Sequence, residues 1–229
     1  VPSARPCSID VWRIALSPAT DLDASFALLD AEEQVRAQRF RFPEHRRRFI
    51  VAHAAVRRIL AQRLDSTPAA IEYVRNVHGK PFLKDRAAPV FSLSHSHELA
   101  LCAVAGAGEL GVDIEHCREL QHADLAQRFF SADEANALAA LPADHQADGF
   151  FACWSRKEAY IKAKGLGLSL PLDAFAVSID EEAVLRYSHH DPEDETRCRL
   201  WEVPVALGYR AALVYCGDAV VDYVCRDWT

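Results

Sequence analysis

The sequence contains no methionine, no C-x-x-C pair of cysteines and no long apolar run. The chain neither starts with methionine nor carries one, which leaves its true N-terminus open. Nothing approaches the ~18 consecutive apolar residues that suggest a membrane-spanning helix. The opening residues Val1-Pro2-Ser3-Ala4-Arg5 lack the apolar core of a secretory signal, so a cytoplasmic protein with no membrane association is expected. The cysteines (Cys7, Cys102, Cys117, Cys153, Cys198, Cys216 and Cys225) are odd in number and scattered. That argues against a disulfide framework and against a zinc site, and predicts buried, inert thiols in a reducing compartment. Also missing are a Walker-type P-loop, a dinucleotide-binding fingerprint, a G-x-S-x-G elbow and an H-E-x-x-H helix. Gly165-Leu166-Gly167 imitates neither glycine motif, because it follows a helix rather than a strand. A net charge of −7 speaks against general nucleic-acid binding.

What is present suffices for a core. Half of the 229 residues are hydrophobic and 26% are charged, enough for one large domain or two small ones. The acidic average hides a local excess: nine arginines stand between Arg36 and Arg63 against one acid, Glu44. Such a run is either a solvated face or a surface that collects an anion, which the planar guanidinium fork suits.

Residues 9–16 open with strand-like alternation. Asp30 and Glu33 have capping-box spacing, and Pro43 with Glu44 suits a first helical turn. From there Phe49, His53, Val56, Leu60 and Leu64 form one helical stripe, with Arg47 and Arg58 opposite. Strands are predicted at 71–77, 90–93 and 99–104. In the second half Ser131 and Glu134 make another capping box, and 148–164 reads as a helix closed by Gly165. Strands follow at 174–180, 198–203 and 208–216, and the polar segment 188–197 reads as an exposed loop. Each half thus runs helix, strand, strand, strand, and Ala100–Gly106 is similar to Ala211–Gly217. The pattern points to duplication of a unit of about 110 residues. We expect an α+β fold with halves 1–108 and 109–229, each a small, mainly antiparallel sheet packed with a long helix.

Three constellations can carry chemistry. In Gly111-Val112-Asp113-Ile114-Glu115 the two acids point to one face of a strand. Such a pair either alternates on a half-exposed strand or holds a hard cation such as Mg²⁺, which takes one or two carboxylates plus phosphate and water. In Trp154-Ser155-Arg156-Lys157-Glu158-Ala159-Tyr160-Ile161-Lys162, residues Ser155, Glu158 and Lys162 share one helical face. Glu158 and Lys162 are then either an ordinary surface pair or a third carboxylate with a phosphate-binding ammonium. In Phe91-Ser92-Leu93-Ser94-His95-Ser96-His97 one or both histidines are candidate phosphate donors, or else structural. Gly79-Lys80-Pro81 is a turn whose glycine lets a ligand approach the backbone. Glu134 reads as the partner of the Ser131 cap. Together these groups describe a metal–pyrophosphate site.

In these motifs the chain resembles the Sfp-type 4′-phosphopantetheinyl transferases. Their G-[IV]-D-[IV]-E strand and W-x-x-K-E-[AS]-x-x-K helix stand here as Gly111–Glu115 and Trp154–Lys162. Gly79–Pro81, Ser94-His95, the Phe129-Phe130-Ser131 segment with Glu134, and Gly165–Pro171 match as well. The resemblance implies a pseudo-twofold fold with coenzyme A in the cleft between the halves. Asp113, Glu115 and Glu158 would hold Mg²⁺, with Mn²⁺ as an alternative ion. His95 would bind the 3′-phosphate, and Lys157 and Lys162 would stand near the phosphates. Gly79, Lys80, Pro81 and Ser94 would line the adenine side. Arg36 and Arg48 are candidates for the 3′-phosphate, although some relatives carry lysines where this chain has Glu33 and Arg36.

The reaction so implied is attack of a carrier-protein serine on the β-phosphorus of coenzyme A, with release of 3′,5′-ADP. Glu158 or a metal-bound water would serve as base, Lys162 would stabilise charge, and Asp113 is the acid whose loss should abolish transfer. The partner would be an acidic, helical acyl or peptidyl carrier protein, docking near 117–130, and the enzyme a monomer. Two rivals share parts of this pattern. One is another Mg²⁺-dependent phosphoryl or nucleotidyl transferase; the other is a non-catalytic coenzyme A-binding module.

Overall fold

The computed structural model describes residues 7–17, 21–84, 89–119, 121–180, 182–219 and 221–229. The N-terminal pentapeptide Val1–Arg5 and the Cys7 side chain lie outside the described residues. The first half opens with strand β1 (Cys7–Ala15) and continues with helices α1 (Leu22–Phe26), α2 (Ala31–Gln38) and α3 (Pro43–Arg63). A short hairpin, β2 (Tyr73–Arg75) with β3 (Pro81–Leu83), leads to β4 (Val90–Ser96) and β5 (Leu99–Ala105). The second half repeats this order. It runs β6 (Glu109–His116), α4 (His122–Phe129), α5 (Ala132–Ala140), α6 (Ala143–Lys164), then a hairpin of β7 (Phe175–Val177) and β8 (Leu185–Ser188). A single-turn helix α7 (Asp194–Arg197) precedes β9 (Cys198–Glu202) and β10 (Tyr209–Cys216). A last strand, β11 (Val221–Trp228), has no counterpart in the first half.

The sheets repeat the relation. One has the order β11-β1-β5-β4 and the other β6-β10-β9, so each half places its first strand beside its last and its penultimate strand outside that. Pairing is antiparallel throughout except that β11 lies parallel to β1. Period-two side-chain direction then builds four layers. On β5, Ala100, Cys102 and Val104 pack beneath Val51, Ala55, Val56 and Ile59 of α3. Leu101, Ala103 and Ala105 turn the other way, onto Leu110, Val112 and Ile114 of β6 and Leu213 of β10. The opposite face of β10, with Ala212, Val214 and Cys216, packs on α6 through Phe150, Ala159, Tyr160 and Ala163. Helix, sheet, sheet and helix thus share continuous apolar contact, each buried Leu, Ile or Val contributing ~1.5–3 kcal/mol.

Both capping boxes form, Asp30–Glu33 on α2 and Ser131–Glu134 on α5. Gly165 closes α6 in the left-handed region at φ 67°. Several expectations are corrected. Helix α6 starts at Ala143, not 148, because its polar first turn follows the non-helical Pro142 and carries no apolar periodicity. Strands β3, β8 and β11 are additions to the expected set. Segment 188–197 is not simply an exposed loop: Asp194 is fully buried, accepting from Tyr160 Oη at 2.7 Å and pairing with Lys164 at 2.9 Å. Cys198 and Cys216 form a disulfide, since antiparallel pairing sets them directly opposite on β9 and β10. Cys102 and Cys153 are buried thiols, as expected, while Cys117 and Cys225 are half-buried. No described helix is long and apolar enough to cross a membrane.

Candidate active site

The site begins with a glycine. A Cβ on Gly111 would stand 1.9 Å from the carbonyl oxygen of Ala159 and 2.5 Å from the nitrogen of Ala163, so the α6 backbone lies directly on β6 at this point. Asp113 and Glu115 follow on the same face of the strand, under the helix that carries Glu158 and Lys162. Lys162 Nζ donates to Asp113 Oδ1 at 2.6 Å and to Ser94 Oγ at 2.7 Å, and Ser94 Oγ donates to the same Oδ1 at 2.8 Å. Asp113 Oδ2 is buried and has no hydrogen-bond partner among the described residues.

Strand β4 supplies the second wall. Its alternate residues Ser92, Ser94 and Ser96 all reach β6. Val112 N donates to Ser92 Oγ at 3.1 Å, His116 N to Ser96 Oγ at 3.0 Å, and Ser96 Oγ donates to Glu115 Oε2 at 3.1 Å. The intervening Phe91, Leu93 and His95 line a cleft of about 350 Å³, to which Ser92 also contributes. Residues of both halves line it: Arg36, His53, His78, Gly79, Lys80, Pro81 and His95 from the first, and Glu158, Lys162, Gly165 and Leu168 from the second.

Lys162 compensates only part of the acids' charge. Burial, then the Asp113 charge, raises Glu115 to about 7, with Glu158 adding to the rise while Ser96 and Lys162 oppose it. Burial and Asp113 likewise raise Glu158, against Lys162. At the other end, desolvation in the cleft lowers the pKa of His95 although part of its ring meets solvent, and His53, Lys162, Arg36 and Arg48 lower it further. The acids thus crowd one another's charge, while His95 stands among cations.

Hard oxygen donors, one of them a buried carboxylate oxygen without a partner, fit a divalent cation such as Mg²⁺. The three carboxylates do not converge as tightly as a closed set of ligands. Among the described residues, the donor atoms that lie within 4.8 Å of one another belong to Asp194, Cys198 and Cys216, whose sulfurs are joined.

The nominated residues divide. Asp113, Glu115, Glu158, Lys162, His95, Arg36, Gly79 and Pro81 stand at the cleft or its carboxylate end. Lys80 lines the cleft with its stem, but its ammonium donates to the carbonyls of Leu110 and Ala163, and burial lowers its pKa to about 8. One expectation is corrected. Lys157 is fully buried and gives its ammonium to both oxygens of Glu134 and to the Phe175 carbonyl, all at 2.7 Å, so it does not reach a phosphate in the cleft. Ser94 is bound to Asp113 and Lys162. Arg48 pairs with Glu98 at 2.6 Å, together with Arg47, and its charge also reaches His95. His97 also leaves the site, stacking on His116 at 4.7 Å.

Glu134 does more than close its capping box. Beyond Lys157 it accepts from Val177 N at 2.8 Å, so it anchors β7 to α6. Two further residues join the site without a nomination from sequence. His53 falls in an apolar stripe of α3, yet it lines the cleft. Asn76 fastens the halves: its amide donates to the Gly165 carbonyl at 2.7 Å while its oxygen accepts from His78 N and Lys80 N. Its signal is the Asn-x-x-Gly-Lys turn, in which an asparagine side chain commonly binds backbone nearby.

Comparison with known proteins gives this geometry a lineage. Residues 109–216 match the 4′-phosphopantetheinyl transferase superfamily, and residues 17–109 match a 4′-phosphopantetheinyl transferase N-terminal domain. The chain is 41% identical to the 4′-phosphopantetheinyl transferase HetI of Nostoc sp., over 70% of each chain. It is 30% identical to the 4′-phosphopantetheinyl transferase Sfp of Bacillus subtilis over 82% of each, and 31% identical to psf-1 of Bacillus pumilus over 93% of each. The matched spans cover both walls of the cleft, and this chain belongs to the Sfp-type family of 4′-phosphopantetheinyl transferases.

Proposed function

We propose that this enzyme moves the 4′-phosphopantetheine arm of coenzyme A onto a serine of an apo acyl or peptidyl carrier protein, with Asp113, Glu115 and Glu158 holding Mg²⁺. The observation that carries the reading is the divided carboxylate of Asp113, one oxygen bound to Lys162 and Ser94 and the other buried without a partner. Mn²⁺ is an alternative ion for the same oxygen donors. When bound, the ion supplies charge neutralisation on the pyrophosphate and a template for in-line displacement.

The chain's own groups do the rest. Cations of the cleft hold the nucleotide phosphates, and Lys162 lies where it can meet a pyrophosphate oxygen while keeping Asp113 in place. Glu158, with its pKa raised, is the candidate base for the serine proton, since a carboxylate nearer neutrality is a better acceptor at physiological pH. A new bond forms between the serine oxygen and the β-phosphorus, the bond from that phosphorus to the bridging oxygen breaks, and 3′,5′-ADP leaves. Because one chain lines both sides of the cleft, we assign a monomer, with residues 1–108 on the nucleotide side and 109–229 supplying the acids. A cytoplasmic site of action fits a coenzyme A-dependent enzyme, and the Cys198–Cys216 disulfide is the feature that sits least easily with it.

The test is the intact mass of an apo carrier protein incubated with the enzyme, coenzyme A and Mg²⁺, with and without chelator. A gain of one phosphopantetheine arm, prevented by chelator, is expected. No gain on any of several acyl and peptidyl carriers would defeat the proposal.

A further inference from the structure

Behind two residues that line the cleft lies the buried ring of Phe49. His53 stacks on it at 4.0 Å, and the Arg36 guanidinium lies over it at 5.2 Å. His53 is held from behind. Its Nδ1 is 2.7 Å from Glu33 Oε1, and Arg57 Nε donates to Glu33 Oε2 at 2.6 Å. The backbone nitrogen of Asp30 adds a bond to Oε2 at 3.1 Å. Arg57 is fully buried and gives three further bonds, to Asp30 and to the carbonyls of Pro68 and Ile71. The clamp is thus held from several elements, and Glu33 is not among the described residues that line the cleft.

Burial alone would raise the Glu33 pKa, yet His53 and Arg57 bring it down to about 2. An ionised carboxylate can only accept, so His53 Nδ1 carries the proton of this bond. Nε2 is the ring's other polar atom, on a residue that lines the cleft. With Nδ1–H given to Glu33, an Nε2–H is the donor this ring would offer to an anionic oxygen in the cleft. Arg36 and His95 stand beside it, and Glu158 is the single carboxylate among the described lining residues. The low pKa of His95 fits the same picture, since His53 and Arg36 are among the charges that depress it.

We propose that His53, clamped by Glu33, is a phosphate-binding residue of the cleft and makes it selective for coenzyme A over the same molecule without its 3′-phosphate. Glu33 is a positioning residue, acting through the ring it orients. The assignment rests on the coenzyme A reading above, and it concerns the 3′-phosphate rather than the pyrophosphate, to which Asp113 and Lys162 are assigned.

Calorimetric titration of the intact chain in Mg²⁺ buffer with coenzyme A and with 3′-dephospho-coenzyme A tests it. Wild type should prefer coenzyme A at least about ten-fold. His53→Ala should weaken coenzyme A by about 10- to 100-fold, the range of one hydrogen bond to a charged group, and leave the dephospho form unchanged. His53→Gln, which keeps much of the volume and one donor, should fall between, with circular dichroism confirming the fold of both. Glu33→Gln should narrow the preference and raise KM for coenzyme A at constant kcat. If both folded His53 variants keep the preference, or weaken both ligands equally, His53 is structural and the coenzyme A reading stands without it. If wild type binds neither ligand, that reading falls and the role of His53 falls with it.

Discussion

Lys162 closes one oxygen of Asp113 at 2.6 Å and leaves the other open, from a helix whose backbone rests on Gly111 two residues earlier. The two partners are unequally exposed, with side-chain values of 30% for Lys162 and 4% for Asp113. Their loss should therefore be unequal too.

Asp113→Ala should abolish transfer while the fold survives, because the lysine it strands can turn to water. Lys162→Ala strands a buried carboxylate. It should cost about 1–3 kcal/mol of stability in addition to a fall of about 10²–10³ in kcat. Chemical denaturation beside carrier-loading rates separates the two effects. Equal destabilisation by both substitutions would contradict the asymmetry.

Glu115 predicts a pH signature. Its ordinary value is 4.5 and its folded value about 7, raised by burial and by Asp113. Between those values the folded state keeps a proton that the unfolded state releases. Its stabilising contribution is thus complete below 4.5 and lost as pH rises through 7. Metal-free protein should lose Tm from pH 5 to pH 8. Mg²⁺ should raise Tm more at pH 8 than at pH 5, as a ligand selective for the ionised site does. Thermal scans with chelator or Mg²⁺ at both pH values check this, and an equal Mg²⁺ shift at both would count against the carboxylate site.

For Lys157 the expectation is loss of stability without loss of recognition. Lys157→Met leaves Glu134 buried without its cation, which should cost about 3–5 kcal/mol. The folded fraction should keep its KM for coenzyme A. A large rise in KM at undiminished stability would return this lysine to the phosphate site.

Glu33 provides the opposite pH window. Its pKa falls from 4.5 to about 2, so its contribution is present above 4.5 and lost as pH drops through 2. Wild type should be more stable than Glu33→Gln at pH 6, with the gap closing by pH 2. A gap independent of pH would mean that packing, not charge, accounts for it.

Much of the site was legible because its spacing matches the geometry of its elements. Asp113 and Glu115 share a strand face, and Glu158 and Lys162 a helix face, so the chemistry follows from periods of two and of about 3.6. Lys157 could have been set aside on the same ground: five residues from Lys162 turn it about 140° around the helix, off the shared face. Other features depend on distant partners. Arg57 belongs to a charged run in sequence, yet Glu33 and Asp30 make it a core residue. His53 follows a core stripe and reaches the cleft only because Glu33 and Phe49 set its ring. The Cys198–Cys216 bridge depends on a register between β9 and β10 that spacing alone does not fix.

The parallel seam between β1 and β11 has a consequence for biosynthesis. Cys7 pairs with Val221 and Ile14 with Trp228, so β1 lies against a strand made after every other described strand. While a ribosome is still adding residues 221–228, β1 keeps an unpaired edge on that side. The other elements of the first half can dock, but an open strand edge is where a nascent chain is most exposed to mispairing with its neighbours. The four-stranded sheet is complete only once β11 has been made, whatever the order in which the helices form.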